Sequence, residues 1–178
     1  MGGDYAPLEA VKGVAEYLNE EKEPLQLLLI GKEEEIKIEL EKYNLSADQY
    51  KIINASEVIE MHEHPTKALK EKTNSSIAIG FHLLSTGKAD AFISAGNTGA
   101  MMVGALFSIK AIEGVSRPTI GAYIPREDGS IGLLLDVGLN ADCKAVNLNH
   151  FATLGSLFCK HILKTENPKV VLINIGEE

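Results

Sequence analysis

Ser94, Gly96, Asn97, Thr98 and Gly99 lie together in the run Ser94-Ala95-Gly96-Asn97-Thr98-Gly99-Ala100, and their types suit an anion site. Ala91, Phe92 and Ile93 precede them as a short apolar run suited to a buried strand. Met102, Leu106, Ile109 and Ile112 follow at helical spacing. A glycine-bearing turn between a strand and a helix start aims free N–H groups and the positive end of the helix dipole at one spot. A phosphate, a carboxylate or a polarised carbonyl oxygen would fit there. Gly, Asn and Thr also turn and cap well for structural reasons alone, so the pattern leaves both readings open. The run is neither a Gly-x-Gly-x-x-Gly dinucleotide fingerprint nor a Walker loop, since no Gly-Lys-Ser/Thr follows it. An anion at this helix start predicts that Asn97→Ala weakens phosphate dependence more than stability.

Other polar loops follow apolar runs: a stub at Gly3-Asp4, Asp136 to Lys144, and Asn174 to Glu178. On a parallel sheet these would crowd one edge, where ligands of open α/β sheets bind. Arg117 and Lys144 are the cations best placed by sequence. Pro118 holds Arg117 extended, and a guanidinium can grip phosphate bidentately. Asp136 could hold a cation or satisfy loop N–H groups. Cys143 beside Lys144 and a helix start has the setting of an activated thiolate, although small unreactive cysteines are commoner. His62-Glu63-His64 has zinc-ligand residue types but no third ligand close in sequence, so no metal is expected. His150 and His161 fall on a helical stretch and read as packing or solvated groups.

The elements that must position these loops alternate along the chain. Pro7 opens a helix with an apolar face of Leu8, Val11, Ala15 and Leu18, broken at Pro24. Leu25 to Ile30 reads as a buried strand, Lys32 to Tyr43 as a charged helix with Ile36 and Leu40 inward, and Tyr50 to Ile53 as a strand. A shorter strand is expected at Val58 to Met61 and a helix from Pro65. A second helix is capped by Asn74, Ser75 and Ser76 and closed by Gly87. Thr119 to Ile124 and Ile131 to Val137 flank the turn Glu127-Asp128-Gly129 and predict a β-hairpin arm. A helix carrying Leu154, Leu157, Phe158 and Ile162 follows, then a last strand from Val170 to Ile175. This order predicts one α/β domain over residues 1–178, a mostly parallel sheet flanked by helices.

With 178 residues and 45% apolar content the chain can bury a core, and its net charge of −8 argues against binding nucleic acid or anionic lipid non-specifically. No apolar run is long enough to cross a membrane, no signal peptide opens the chain, and its 2 cysteines lie far apart. A reduced, cytoplasmic protein is expected.

Taken together, the motifs are specific. Met1-Gly2-Gly3-Asp4-Tyr5-Ala6-Pro7, Val58-Ile59-Glu60-Met61, Ser94 to Ala100, Arg117-Pro118, Leu133 to Lys144 and Asn174 to Glu178 resemble, in order, the bacterial phosphate acyltransferases of phospholipid synthesis (the PlsX family). Ser94 to Ala100 and Asp136 to Lys144 carry most of the specificity. Leu139, His62-Glu63-His64 and Asn74 depart from the family's usual residues without touching a motif core. The resemblance implies a fold like that of isocitrate and isopropylmalate dehydrogenases, and transfer of a fatty acyl chain from acyl carrier protein to inorganic phosphate. It implies no cofactor, a homodimer, and peripheral contact with the membrane's inner face through the family's apolar helical segment C-terminal to Glu178. In the polar loops, Asn97, Arg117 and Lys144 are the expected catalytic residues, with Asp4, Ser94, Gly96, Thr98, Gly99, Asp136, Asn140 and Asn174 expected to bind substrate. Lys67, Lys70 and Lys72 form a basic cluster that could meet the acidic carrier protein or simply be a solvated helix face. Family members begin before Met1 and run past Glu178, so the chain is expected to be an incomplete portion of a longer enzyme. The alternatives are a nicotinamide-dependent hydroxy-acid dehydrogenase on the same fold and a non-catalytic domain that binds the carrier protein.

Overall fold

In the computed structural model of the protein, which describes residues 2–20, 25–140 and 142–173, the chain divides into two compact units, residues 1–110 and 111–178. In the first unit, α1 (Leu8–Glu20) buries Val11 and Ala15, one turn apart on one face. The apolar runs at β1 (Leu27–Gly31) and β2 (Tyr50–Asn54) pair in parallel, with Leu27 opposite Tyr50 and Gly31 opposite Asn54. Between them α2 (Glu33–Leu40) turns Ile36 and Leu40 inward, onto Val11, Leu29, Tyr50 and Ile52. Its first turn carries Glu33, Glu34 and Glu35, which the helix dipole favours, and Asn54 Oδ1 accepts from Glu33 N–H at 3.2 Å. The end of β2 therefore caps the helix that precedes it.

Three short helices make the rest of this unit: α3 (Pro65–Glu71), α4 (Ser76–Ser85) and α5 (Thr98–Ser108). Ile59, Ala68, Ile77, Phe81 and Ala100 form their shared core. Burying a side chain such as Ile77 or Phe81 contributes about 1.5–3 kcal/mol each. Ser75, fully buried, caps α4 by accepting from Ala78 N–H at 3.3 Å. Small residues let the helices close on aromatic rings. A Cβ at Gly80 would lie 2.5 Å from the Phe92 ring, and one at Gly104 would meet Phe81. Phe81 and Phe92 themselves meet edge to face, with centroids 5.4 Å apart.

In the second unit β3 (Gly121–Pro125) and β4 (Ile131–Leu135) pair antiparallel, with Gly121 opposite Leu135 and Pro125 opposite Ile131. Asp128 Oδ1 holds the connection by accepting from Ser130 N–H (2.9 Å) and Ser130 Oγ (2.6 Å). The long helix α6 (Ala145–His161) buries Asn147 and Phe151, and Gly155 lets it approach Leu135 of β4.

The architecture is α/β with a small parallel sheet and flanking helices. Several expectations need correction. Val58 to Met61 is not a strand, because the carbonyls of Val58, Glu60 and Met61 are taken by side chains rather than by a ladder. Ala91 to Ile93 forms no strand and joins no sheet among the described residues. Phe92 anchors it on Phe81, while Ile93 is 93% exposed. Val170 to Ile173 is likewise outside any strand and exposed, and the remainder of that expected strand lies outside the described residues. The inner face of α5 is Ala100, Val103 and Gly104 rather than Met102, Leu106 and Ile109, because close contact with Phe81 demands small residues. On α6 Phe151 is buried, whereas Leu157 and Phe158 are exposed, as is Ile162 just past the helix end.

Candidate functional site

Asn97 is the pivot of the first unit's candidate site. It caps α5, its Oδ1 accepting from Ala100 N–H at 3.0 Å, and only 5% of it is exposed. Its Nδ2 donates to the carbonyls of Glu60 (3.0 Å), Met61 (3.2 Å) and Glu63 (3.2 Å). Both ends of this amide are thus spent inside the protein. Asn97 positions the turn, and any ligand there would meet the backbone rather than this side chain, so the expectation that Asn97→Ala acts on phosphate dependence more than on stability is corrected: the loss of stability comes first. Ser94 Oγ accepts from Gly96 N–H at 3.1 Å and tightens the loop. The amides of Thr98 and Gly99, in the first turn of α5, find no acceptor among the described residues. They remain donors for an anion. Gly99 has a packing reason of its own, since a Cβ there would run into the Pro65 ring.

The amino-terminal stub reaches the same loop. A Cβ on Gly2 would lie 2.7 Å from Gly96 Cα, and one on Gly3 would lie 3.4 Å from Ala95 Cβ. Gly3 has φ +83°, a conformation that favours glycine. Asp4 follows, exposed. Gly2, Gly3 and Ala6 face Val58 to Met61 across a cleft of about 230 Å³.

The segment 58–63, whose Val58 to Met61 line that cleft, has a tether that sequence reasoning missed. Lys72 Nζ donates to Val58 O (2.6 Å) and Glu63 Oε2 (2.5 Å), and the same Glu63 oxygen accepts from Glu60 N–H (2.7 Å). Glu63, read from sequence as part of a metal-like His-x-His run, is an ion-pair partner. Lys72 is committed inward and is not free to join Lys67 and Lys70 as a basic docking face. The Lys72 ammonium and the Glu60 amide hold the Glu63 carboxyl below its ordinary range. Its contribution to stability is therefore full above about pH 4.5, the ordinary value, and is lost as pH falls through the lowered one. Acid unfolding of Glu63→Gln should differ from the parent near neutrality and converge with it at low pH. A constant difference across the titration would show that the charge is not what matters.

The second unit holds the other sequence-predicted residues. Asp136 sits at φ +61°, in the left-handed region that Asp tolerates better than most side chains. Its Oδ1 accepts from Asn140 N–H (3.1 Å) and Nδ2 (3.0 Å), and its Oδ2 lies 3.5 Å from Cys143 Sγ. Asn140 Nδ2 also donates to Pro118 O at 3.0 Å, and Arg117 Nη1 donates to Asp142 O at 2.7 Å. Lys144 N–H donates to Asn147 Oδ1 at 2.9 Å, and buried Asn147 reaches Ser116 Oγ at 2.9 Å. The 116–118 segment and the 136–147 loop are thereby laced together. The Arg117 fork and the Lys144 ammonium both remain exposed. Asn147, three residues after Lys144, was legible as a capping position. Burial and the adjoining Asp136 carboxylate push the Cys143 thiol up, against a smaller opposing pull from Arg117. It stays a thiol near neutrality, which disfavours it as a nucleophile.

Asn174 lies outside the described residues. Among the described residues no cluster of His, Cys, Asp and Glu could hold a metal ion, and no helix is long and apolar enough to cross a membrane.

The chain is 47% identical over its whole length to a protein named phosphate acyltransferase from Dictyoglomus turgidum, covering 52% of that relative. It is 47% identical to the protein of that name from Halothermothrix orenii, covering 53%, and 46% identical to that from Fusobacterium nucleatum, also covering 53%. All 178 residues align in each case, so the chain spans about half the length of the curated relatives it matches. The family model described as "Fatty acid synthesis protein" matches residues 1–178, and the chain belongs to that family.

Proposed function

We propose that the protein is a phosphate acyltransferase, taking a fatty acyl chain from acyl carrier protein onto inorganic phosphate for phospholipid synthesis. The observation that carries this reading is the alignment of the whole chain with relatives named phosphate acyltransferase. Those names lend nothing to the dehydrogenase or the binding-domain alternative. In the reaction a phosphate oxygen bonds to the thioester carbon, the carbonyl becomes an oxyanion, and the carrier thiolate leaves as the C–S bond breaks. Phosphate needs positioning and charge neutralisation more than activation. Preorganised donors such as the Thr98 and Gly99 amides suit the anionic groups, with Ser94, Gly96 and Asn97 shaping the turn. Arg117 and Lys144 offer cations, and Asp136 and Asn140 shape the loop that carries Lys144. Asp4 and Asn174 are assigned to substrate on their place in polar loops that follow apolar runs of the sequence. No metal or other cofactor is required.

The same reading includes an isocitrate/isopropylmalate dehydrogenase-like fold forming one α/β domain, with β3 and β4 as a hairpin arm. It also includes a cytoplasmic homodimer that touches the membrane's inner face peripherally. Release of carrier thiol tests the reaction. Thiol should appear from acyl carrier protein thioester only when inorganic phosphate is present. Release without phosphate would mark a hydrolase, and a thermal shift with NAD and magnesium but none with phosphate would favour a dehydrogenase.

Direct attack needs no acyl-enzyme, so Cys143→Ser should keep most of the activity. Loss of turnover in a folded variant, together with acyl-Cys143 trapped by mass spectrometry in the parent, would establish the covalent route instead.

A further inference from the structure

We propose that Lys72 is a positioning residue, its ammonium fixing the 58–63 segment around Asn97 and so setting the donor-bearing first turn of α5. The inference rests on phosphate binding at that turn, as the proposed function has it. The geometry is a relay. Lys72 Nζ holds Val58 O at 2.6 Å and Glu63 Oε2 at 2.5 Å, the ends of one short segment. Between those ends the carbonyls of Glu60, Met61 and Glu63 converge on the single amide nitrogen of Asn97. Two N–H bonds cannot satisfy three carbonyls fully, so this clamp depends on being held from outside. The same Asn97 caps α5 through its other end. Val58 to Met61 also form one wall of the cleft opposite Gly2 and Gly3.

Charge gives Lys72 a second task. Glu63 places a carboxylate on the segment that wraps the start of α5, where an anionic substrate is to be bound. A like charge left unbalanced there would repel it. Lys72 cancels that charge at contact distance, with both side chains less than one third exposed. Lys72 and Glu63 come from separate positions 9 residues apart, and only the fold makes them partners.

The test uses the full chain, inorganic phosphate as the probe, and two-dimensional amide spectra of Thr98, Gly99 and the Asn97 side chain. Lys72→Met should weaken phosphate binding about tenfold or more, the equivalent of one charge-assisted hydrogen bond. Lys72→Arg, which keeps the charge, should restore most of it. Adding Glu63→Gln to Lys72→Met should recover part of the loss by removing the unbalanced carboxylate. A merely structural lysine would lower Tm and leave phosphate affinity unchanged, and that result overturns the proposal. Should Lys72→Met fail to fold, Lys72→Gln with and without Glu63→Gln gives the same comparison. If the parent itself shows no phosphate response, the functional reading fails. The positioning claim is then judged by the Asn97 side-chain protons, which should lose exchange protection in Lys72→Met. Retained protection would refute it.

Discussion

Asn97→Ala is expected to destabilise the first unit by about 2–4 kcal/mol, from one lost helix cap together with buried carbonyls left without a donor. The amide of Asn97 is 5% exposed, accepts from Ala100 N–H, and donates toward three carbonyls. Alanine can replace neither role. Asn97→Asp separates the two roles. Aspartate would still cap α5, and its charge would suit the helix dipole. It would also set a carboxylate against the oxygens of Glu60, Met61 and Glu63. If the clamp matters, Asn97→Asp should be at least as destabilising as Asn97→Ala. Urea unfolding of both variants checks this. A neutral or stabilising Asn97→Asp would show that the cap is the whole contribution.

Arg117→Lys is expected to lower specificity for phosphate by about 10- to 150-fold, equivalent to losing a charge-assisted contact of about 1.5–3 kcal/mol. Arg117 is exposed, and among the described residues its guanidinium has one hydrogen-bond partner, the Asp142 carbonyl at 2.7 Å. That bond orients the fork and leaves its other N–H groups available. Lysine would keep the charge as a point and lose both the orientation and the bidentate geometry. The effect should fall on the phosphate dependence of kcat/KM while the dependence on acyl carrier protein changes little. Unchanged phosphate kinetics would reduce Arg117 to a loop tether.

Apolar periodicity exposed much of the first unit. Ile36 and Leu40 one turn apart, and the Leu27 to Ile30 run, are the kind of local signal that survives folding. Ser75 before α4 and Asn97 before α5 were readable as caps because their side chains bond within a few residues. Three apolar runs misled. Val58 to Met61, Ala91 to Ile93 and Val170 to Ile173 have strand-like composition, yet a strand is defined by a partner, and composition cannot supply one. The glycines were ambiguous for a related reason. At Gly80, Gly99 and Gly104 the missing Cβ makes room for Phe92, Pro65 and Phe81, neighbours that spacing along the chain does not reveal. The candidate site divides the same way. Its residue types stood out as motifs, whereas the Lys72–Glu63 pair and the Asn97 clamp arise from contacts across 9 to 37 positions.

The central claim is that phosphate itself attacks the acyl thioester. Mass spectrometry of the product formed from fully ¹⁸O-labelled phosphate and acyl carrier protein thioester tests it most directly. The account predicts an acyl phosphate that keeps every labelled oxygen, including the one bridging phosphorus and the acyl carbon. Free fatty acid without any labelled acyl phosphate would contradict it.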